Sequence, residues 1–282
     1  MPDDDAEAMT LLCLALHMSN DKLPETPSPA QILAFAIVTD KYDCVHTVRY
    51  LSRAWMHDAP INMTDEKKDC VALVQSAWLL NDPYAFRRST KQLIPLLSIH
   101  SSGSEGFKSE ILAEYVQDCI KATVVTAQNR LVYVLQKPID NMTLTATVGV
   151  WPSLKHGKTH MGTYQPGQHD FICMSNYVML LDRIGLSKGA TTCTNIKEAI
   201  SQLRSAISVG FTQDMVIANI TKDNEGHVHK GAGCRACRLD LTTHFTWIIS
   251  QLEAIIPGLC IDCMKNEALR CHENGNVCRK ST

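Results

Sequence analysis

The most reactive pattern in this sequence is a set of cysteines near its C-terminal end. Cys234-x-x-Cys237 is followed, after 22 intervening residues, by Cys260-x-x-Cys263, and then by Cys271-His272 and Cys278. A Cys-x-x-Cys pair can offer two thiolates to one tetrahedral zinc from a single tight turn, and two such pairs complete a four-cysteine site. The spacing is slightly longer than that of the usual zinc ribbon. Cys234, Cys237, Cys260 and Cys263 are the candidate ligands, and Cys271, His272, Cys278 or His229 could replace one of them. A closed site of four protein ligands is structural, because a catalytic zinc keeps one position open for water. Two other readings stand beside it. The cysteines could be reduced thiols packed in a small core, since free cysteine is among the most buried residue types. One pair could act in redox chemistry, although neither lies in an evident βαβ context.

The remaining candidates for chemistry are sparse, and the expectation is a protein that is not an enzyme. Gly157-Lys158-Thr159 has the ending of a phosphate-binding loop, but the glycine that should precede it by five residues is Pro152. No HExxH, GxSxG or GxGxxG occurs. His156, His160 and His169 fall in an irregular segment and leave an enzyme with an unrecognised site as an alternative, but Gly157 and Gly162 argue against the helix that would pair the first two. With 27 Lys+Arg against 29 Asp+Glu, no global field favours phosphate backbones. Residues 225–282 carry seven basic against six acidic side chains, so nucleic acid is not the expected partner of the cysteine-rich region.

Twelve cysteines in a chain of 282 residues fit core thiols and metal ligands better than a disulfide framework. The start, Met1-Pro2-Asp3-Asp4-Asp5, is acidic where a secretory peptide needs basic residues, and no apolar run approaches the roughly 20 residues of a membrane span. The expectation is an intracellular protein of the nucleus or cytoplasm, without a membrane partner. On that reading the Asn-x-Thr sequons at Asn62, Asn141 and Asn219 carry no function.

The sequence pattern predicts a mainly helical scaffold for these residues. Ala8, Met9, Leu12, Ala15 and Leu16 share one helical face after the acidic Asp3 to Asp5 start. Ser28-Pro29-Ala30-Gln31 supplies a cap, a proline in the first turn and a capping-box glutamine for a central helix over about 29–42. Asp43 is expected to cap a third helix with Val45, Val48, Leu51 and Trp55 on its buried stripe. Helices follow at about 66–80 and 83–93, the second opened by Asp82-Pro83. Ser101-Ser102-Gly103-Ser104-Glu105-Gly106 reads as a linker, giving regions 1–95 and 107–282 with a cysteine-rich module at 227–282. In the second region a long helix should run to Lys137-Pro138, Thr143 to Val150 alternates as a short strand, and helices return near 170–184 and 195–207. Phe211 to Ile220 could be strand or helix. Phe245, Ile248, Ile249, Leu252 and Ile255 have the spacing of a helix between the two cysteine pairs, ended by Pro257-Gly258.

Several of these segments resemble the second half of fungal-type BTB/POZ proteins. The resemblance rests on Asp4-Asp5-Ala6-Glu7-Ala8-Met9, a helix ending at His17, Leu23-Pro24 in a short strand position, and Asp40-Lys41-Tyr42-Asp43-Cys44 followed by Trp55. Trp78 and Phe86 sit where that family carries aromatics, and Gly258-Leu259-Cys260-Ile261-Asp262-Cys263 is similar to a run near its tail. It covers roughly residues 3–95 and implies a BTB/POZ-like helical remnant, followed by a helical C-terminal domain with a short strand-containing insert and a cysteine-rich tail. The half that builds the family's homodimer face has no counterpart here, which would leave apolar sides of the first two helices exposed. The resemblance implies an adaptor or scaffold that binds protein partners, with self-association or a cullin-type ligase scaffold as first candidates. A zinc-stabilised regulatory or transcription-associated protein is the alternative if the cysteine-rich region is primary.

Overall fold

Asp5 opens the first helix, α1 (Ala6–Leu16), by accepting the Ala8 backbone N–H at 2.8 Å. The computed structural model describes residues 4–59, 66–97, 108–148 (side chains to 136), 178, 181, 182, 186, 195–208, 245–254, 256 and 258–265. Among the described residues no strand is formed, and the chain is mainly α. The expected linker at 101–106 lies outside them.

Helix α2 (Pro29–Lys41) begins with the capping box read from the sequence: Ser28 Oγ accepts from Gln31 N, and Gln31 Oε1 accepts from Ser28 N. Both orphan donors are thereby satisfied. It is a central helix, with Ile32, Phe35 and Ala36 fully buried. The stripe on α1 differs from the expected one. Ala8, Leu11 and Leu12 are buried, whereas Met9 and Ala15 are half-buried and Leu16 is 40% exposed.

Asp43 does not cap the third helix. It ends the second, at φ 54°, while Cys44 N donates to Thr39 O and Asp43 N to Asp40 O. This is a Schellman-type closure, and aspartate tolerates its left-handed residue better than most side chains do. Helix α3 (Arg49–Asp58) starts six residues later without a side-chain cap. Its Trp55 meets Phe35 edge-on at 5.1 Å and donates its indole N–H to Pro24 O at 3.0 Å. The buried aromatic is thus packed and satisfied together. Leu23, at the strand position of the resemblance, is extended but pairs with no strand among the described residues.

Helices α4 (Glu66–Leu79) and α5 (Pro83–Leu93) pack on each other, and α4 also packs on α2. Asp82 joins them, accepting from Tyr84 N and Ala85 N at 3.0 Å each. Cys70, Val74, Ala77, Phe86 and Leu93 are fully buried between these elements. Removing each large side chain from water contributes about 1.5–3 kcal/mol.

Helix α6 (Glu114–Val148) is longer than the sequence pattern suggests. The strand expected over Thr143 to Val150 is not formed, since residues 143–148 are helical. Pro138 lies within the helix and removes one backbone donor at a cost of about 3 kcal/mol, but extending an existing helix is far cheaper than nucleating one. Helical continuity therefore outweighs both the proline and the β-branched alternation that follows it.

Two compact units divide the chain. One comprises Met1–Leu97, Ser104–Val124 and Ile256–Thr282, and the other Ser98–Gly103 and Val125–Ile255. The second contains most of α6, α7 (Ile196–Ser208) and α8 (residues 245–254). Asn195 caps α7 by accepting from Glu198 N at 2.8 Å, and Arg204 pairs with Glu253. Leu131, Ile196, Leu203, Phe245, Ile248 and Leu252 are buried in it, so the helical stripe read between the cysteine pairs is an apolar core face. In the 170–184 segment only residues 178, 181 and 182 are described, and all three are helical.

Candidate functional site

In the first unit, the returning tail with its cysteines and the outer side of α1 carry residues that could serve a function. The tail is set against α5 by a glycine. A methyl group on Gly258 would lie 1.7 Å from the Arg87 carbonyl oxygen, so no other residue fits without displacing one backbone from the other. The next residue, Leu259, donates its N–H to the Thr90 hydroxyl at 2.8 Å, and that hydroxyl lies 2.8 Å from Phe86 O, to which it donates. Thr90 is fully buried, so this one side chain satisfies the tail and remains satisfied itself.

Cys260 immediately precedes α9 (Ile261–Lys265), which contains Cys263. A spacing of three on one helical turn brings the two side chains to the same side, and both are buried in mutual contact. The donor chemistry and the juxtaposition fit two of four ligands of a structural zinc site. Cys234, Cys237, Cys271, His272, Cys278 and His229 lie outside the described residues, as do His156, His160 and His169. Among the described residues no group of three or more His, Cys, Asp or Glu is arranged to hold a metal.

Beyond the cysteines, Lys265 fastens the tail to the end of α4. Its ammonium sits 4.9 Å from the centre of the Trp78 ring and donates to Asn81 Oδ1 at 2.9 Å. Partial burial pushes the Lys265 pKa down, and the charges of Asp40 and Asp262 oppose that shift. Trp78 is itself held by Phe86 and Tyr115, with ring centres 5.8 and 6.3 Å away. The two aromatics singled out in the sequence are therefore packing residues, and Trp78 also supplies a cation–π face.

The N-terminal end of the unit is tied by polar contacts. Asp4 accepts from Lys41 Nζ and from the Tyr42 hydroxyl at 2.7 Å, and Gln31 Nε2 donates to Glu7 Oε1 at 2.7 Å. The hydrogen bonds from Lys41 and Tyr42 hold the Asp4 carboxyl below its ordinary pKa, and the bond to Asp4 holds the Tyr42 phenol above its own. Three residues of the Asp40 to Cys44 run thus have structural work: two anchor Asp4, and Asp43 closes α2.

Among the described residues the outer side of α1 has no such ties. Met9, Thr10, Cys13, Leu14, His17 and Ser19 line an open depression of about 480 Å³. Cys13 is exposed, and Met18, which ends the helix, is 80% exposed. Met18 also has φ 56°, in the left-handed region that a bulky side chain enters at a cost of about 1–2 kcal/mol. Sequence reasoning missed Met18 as a feature. Its signal is a methionine standing just past a helix where glycine or asparagine is usual.

Among the described residues no helix is long and apolar enough to cross a membrane. No protein-family model, curated protein or solved structure matches the chain.

Proposed function

We propose that this chain is a non-catalytic protein-interaction module, and that the outer face of α1 is a contact surface for another protein. The observation that carries this reading is Met18. It is strained and 80% exposed, next to a depression bordered by Met9, Cys13 and Leu14. Strain at an exposed apolar residue lowers the stability of the isolated chain and gains no internal packing, which points to a role outside the chain. The BTB/POZ resemblance supports the same class of function, and by analogy it makes self-association or a cullin-type ligase scaffold the first partners to test.

The test uses the full chain. Wild-type protein serves as bait for affinity capture, and its self-association is measured by sedimentation. The double variant Leu16→Glu, Met18→Asn keeps a residue suited to left-handed backbone and removes the apolar contact. Loss of the captured partner or of the self-complex in the variant is the expected result. Capture that is unchanged in the variant, or no specific complex from folded wild-type protein, overturns the reading.

A second reading is a zinc-stabilised regulatory or transcription-associated protein, favoured by the buried contact of Cys260 with Cys263. These two would supply half of a structural site whose other expected ligands are Cys234 and Cys237. Zinc there would supply folding energy and no catalysis. About one zinc per chain, with unfolding in chelator, is expected; less than about 0.2, with folding unchanged, removes it.

A further inference from the structure

The sides of α3 and α5 that approach each other carry an excess of positive charge with no part in holding the tail. Arg53, Met56 and His57 of α3, together with Asp82, Tyr84, Ala85 and Arg88, line a cleft of about 370 Å³. Two guanidinium groups border it. The Arg53 Nε lies 3.4 Å from Asp82 Oδ2, and Arg88 Nη1 donates to His57 O at 2.6 Å. Each arginine thereby keeps terminal N–H donors without a partner among the described residues, and the attachments fix where those donors stand. Asp82 cannot neutralise the pair. Its other oxygen accepts two backbone N–H groups at the start of α5; the nearby carboxylate of Asp58, outside the cleft lining, is exposed and bonded to His57 Nδ1 at 2.7 Å. Arg49 on α3 and Lys91 on α5 are also exposed, but neither lines the cleft. Helix α5 contains no acidic residue.

We propose that this cleft seats an acidic side chain of a peptide segment belonging to a protein ligand, with Arg53 and Arg88 as the binding residues. A guanidinium presents a planar fork that matches a carboxylate with two parallel N–H···O bonds. Met56, Ala85 and the ring of Tyr84 offer an apolar wall for the methylenes of a glutamate. Tyr84 is 68% exposed and Tyr50, on the same helix as Arg53, is 86% exposed, and exposed tyrosines of this kind contribute large contact area at low entropic cost in protein interfaces. Nucleic acid fits less well, since a polyphosphate needs a positive track along many nucleotides, while this cleft is confined and has the Asp82 carboxylate in its wall. The inference rests on the interaction reading in naming a protein ligand, but it uses a face other than α1.

The test is direct binding to the full chain, followed by fluorescence anisotropy. The probes are a labelled oligoglutamate peptide, an oligoglutamine peptide of the same length and an oligothymidine strand. Saturable binding of oligoglutamate alone is expected, weakened about tenfold or more in Arg53→Gln, Arg88→Gln. Arg88→Lys should also weaken it, because the charge remains and the fork is lost. Arg49→Gln and the α1 double variant should leave it within about twofold of wild type. Because Arg53 also contacts the helix-capping Asp82, circular dichroism and thermal melts establish that each variant is folded, and Arg88→Gln alone serves if the double variant is not. Absence of oligoglutamate binding, equal weakening by Arg49→Gln, or tighter binding of oligothymidine overturns the proposal. If the α1 variant loses its captured partner but keeps oligoglutamate binding, the two faces act separately. If capture from α1 fails while oligoglutamate binding persists, only the α1 reading falls.

Discussion

The ends of α1 and α4 adopt the same backbone closure with opposite side-chain solutions. After α1, Ser19 N donates to Leu14 O at 2.9 Å and Met18 N to Ala15 O, with Met18 at φ 56°. After α4, Asp82 N donates to Ala77 O at 3.0 Å and Asn81 N to Trp78 O, with Asn81 at φ 52°. Asparagine tolerates that conformation, and its side-chain oxygen accepts a hydrogen bond from Lys265. Methionine tolerates it poorly and projects into solvent. One helix end is finished by the chain's own tail, and the other carries strain at an exposed side chain. The contrast shows that one helix closure can be completed by the chain's own tail or left with its terminal side chain exposed.

Substitutions at the tail and at the two helix ends test this contrast. The largest effect is expected at Gly258, because the tail closing the α4–α5 pair depends on its close approach to Arg87. Gly258→Ala should lower unfolding free energy by about 2–3 kcal/mol in urea denaturation, as backbone must move. A loss below about 0.5 kcal/mol would show that the tail is not tightly seated. Next in size, Met18→Gly should raise stability by about 1 kcal/mol through relief of strain, whereas Asn81→Gly should give no gain, since its strain is small and the Lys265 bond is lost. Equal responses at the two positions would abolish the distinction. Lys265→Met should cost about 0.5–1 kcal/mol, read from the same denaturation curves, because the cation–π contact is partly exposed. The smallest effect is pH-dependent. Asp4 has a folded pKa below 3.8, so its stabilising contribution is complete above that value and fades as pH falls through the lower, folded one. A carboxyl titration by NMR should place the Asp4 midpoint below 3.8, and Lys41→Met should move it upward.

Local chemistry made much of the helical order readable. Ser28 with Gln31, and Asp82 before Pro83, specify their helix starts through side chains a few residues away, and those starts stand where the sequence puts them. Reading failed where a distant or continuing element overrode the local signal. Asp43 has the residue type of an N-cap but also that of a left-handed C-terminal residue, and only packing chooses between them. Residues 143–148 alternate like a strand, but they follow a helix already formed. The apolar pattern of α1 did not distinguish Leu11 from Leu16, because nearly the whole helix is apolar and the neighbours decide which side is covered. Of the candidate ligands, Cys260 and Cys263 are adjacent as their spacing suggests. The arginine cleft was not readable, since Arg53 and Arg88 are 35 positions apart and only the packing of α3 on α5 brings them together.

The returning tail has a consequence for synthesis. The first unit is discontinuous: the surface of α5 that receives Gly258 and Leu259 is made long before those residues exist. Between Leu93 and Lys265 lie about 170 residues, which a ribosome adds in roughly 10–30 s at 5–20 residues per second. During that interval the Thr90 hydroxyl and the apolar surface around it wait without their cover. The nascent chain therefore passes through a window in which α4 and α5 are made but one side of α5 is bare, and chaperone capture or premature pairing would act there.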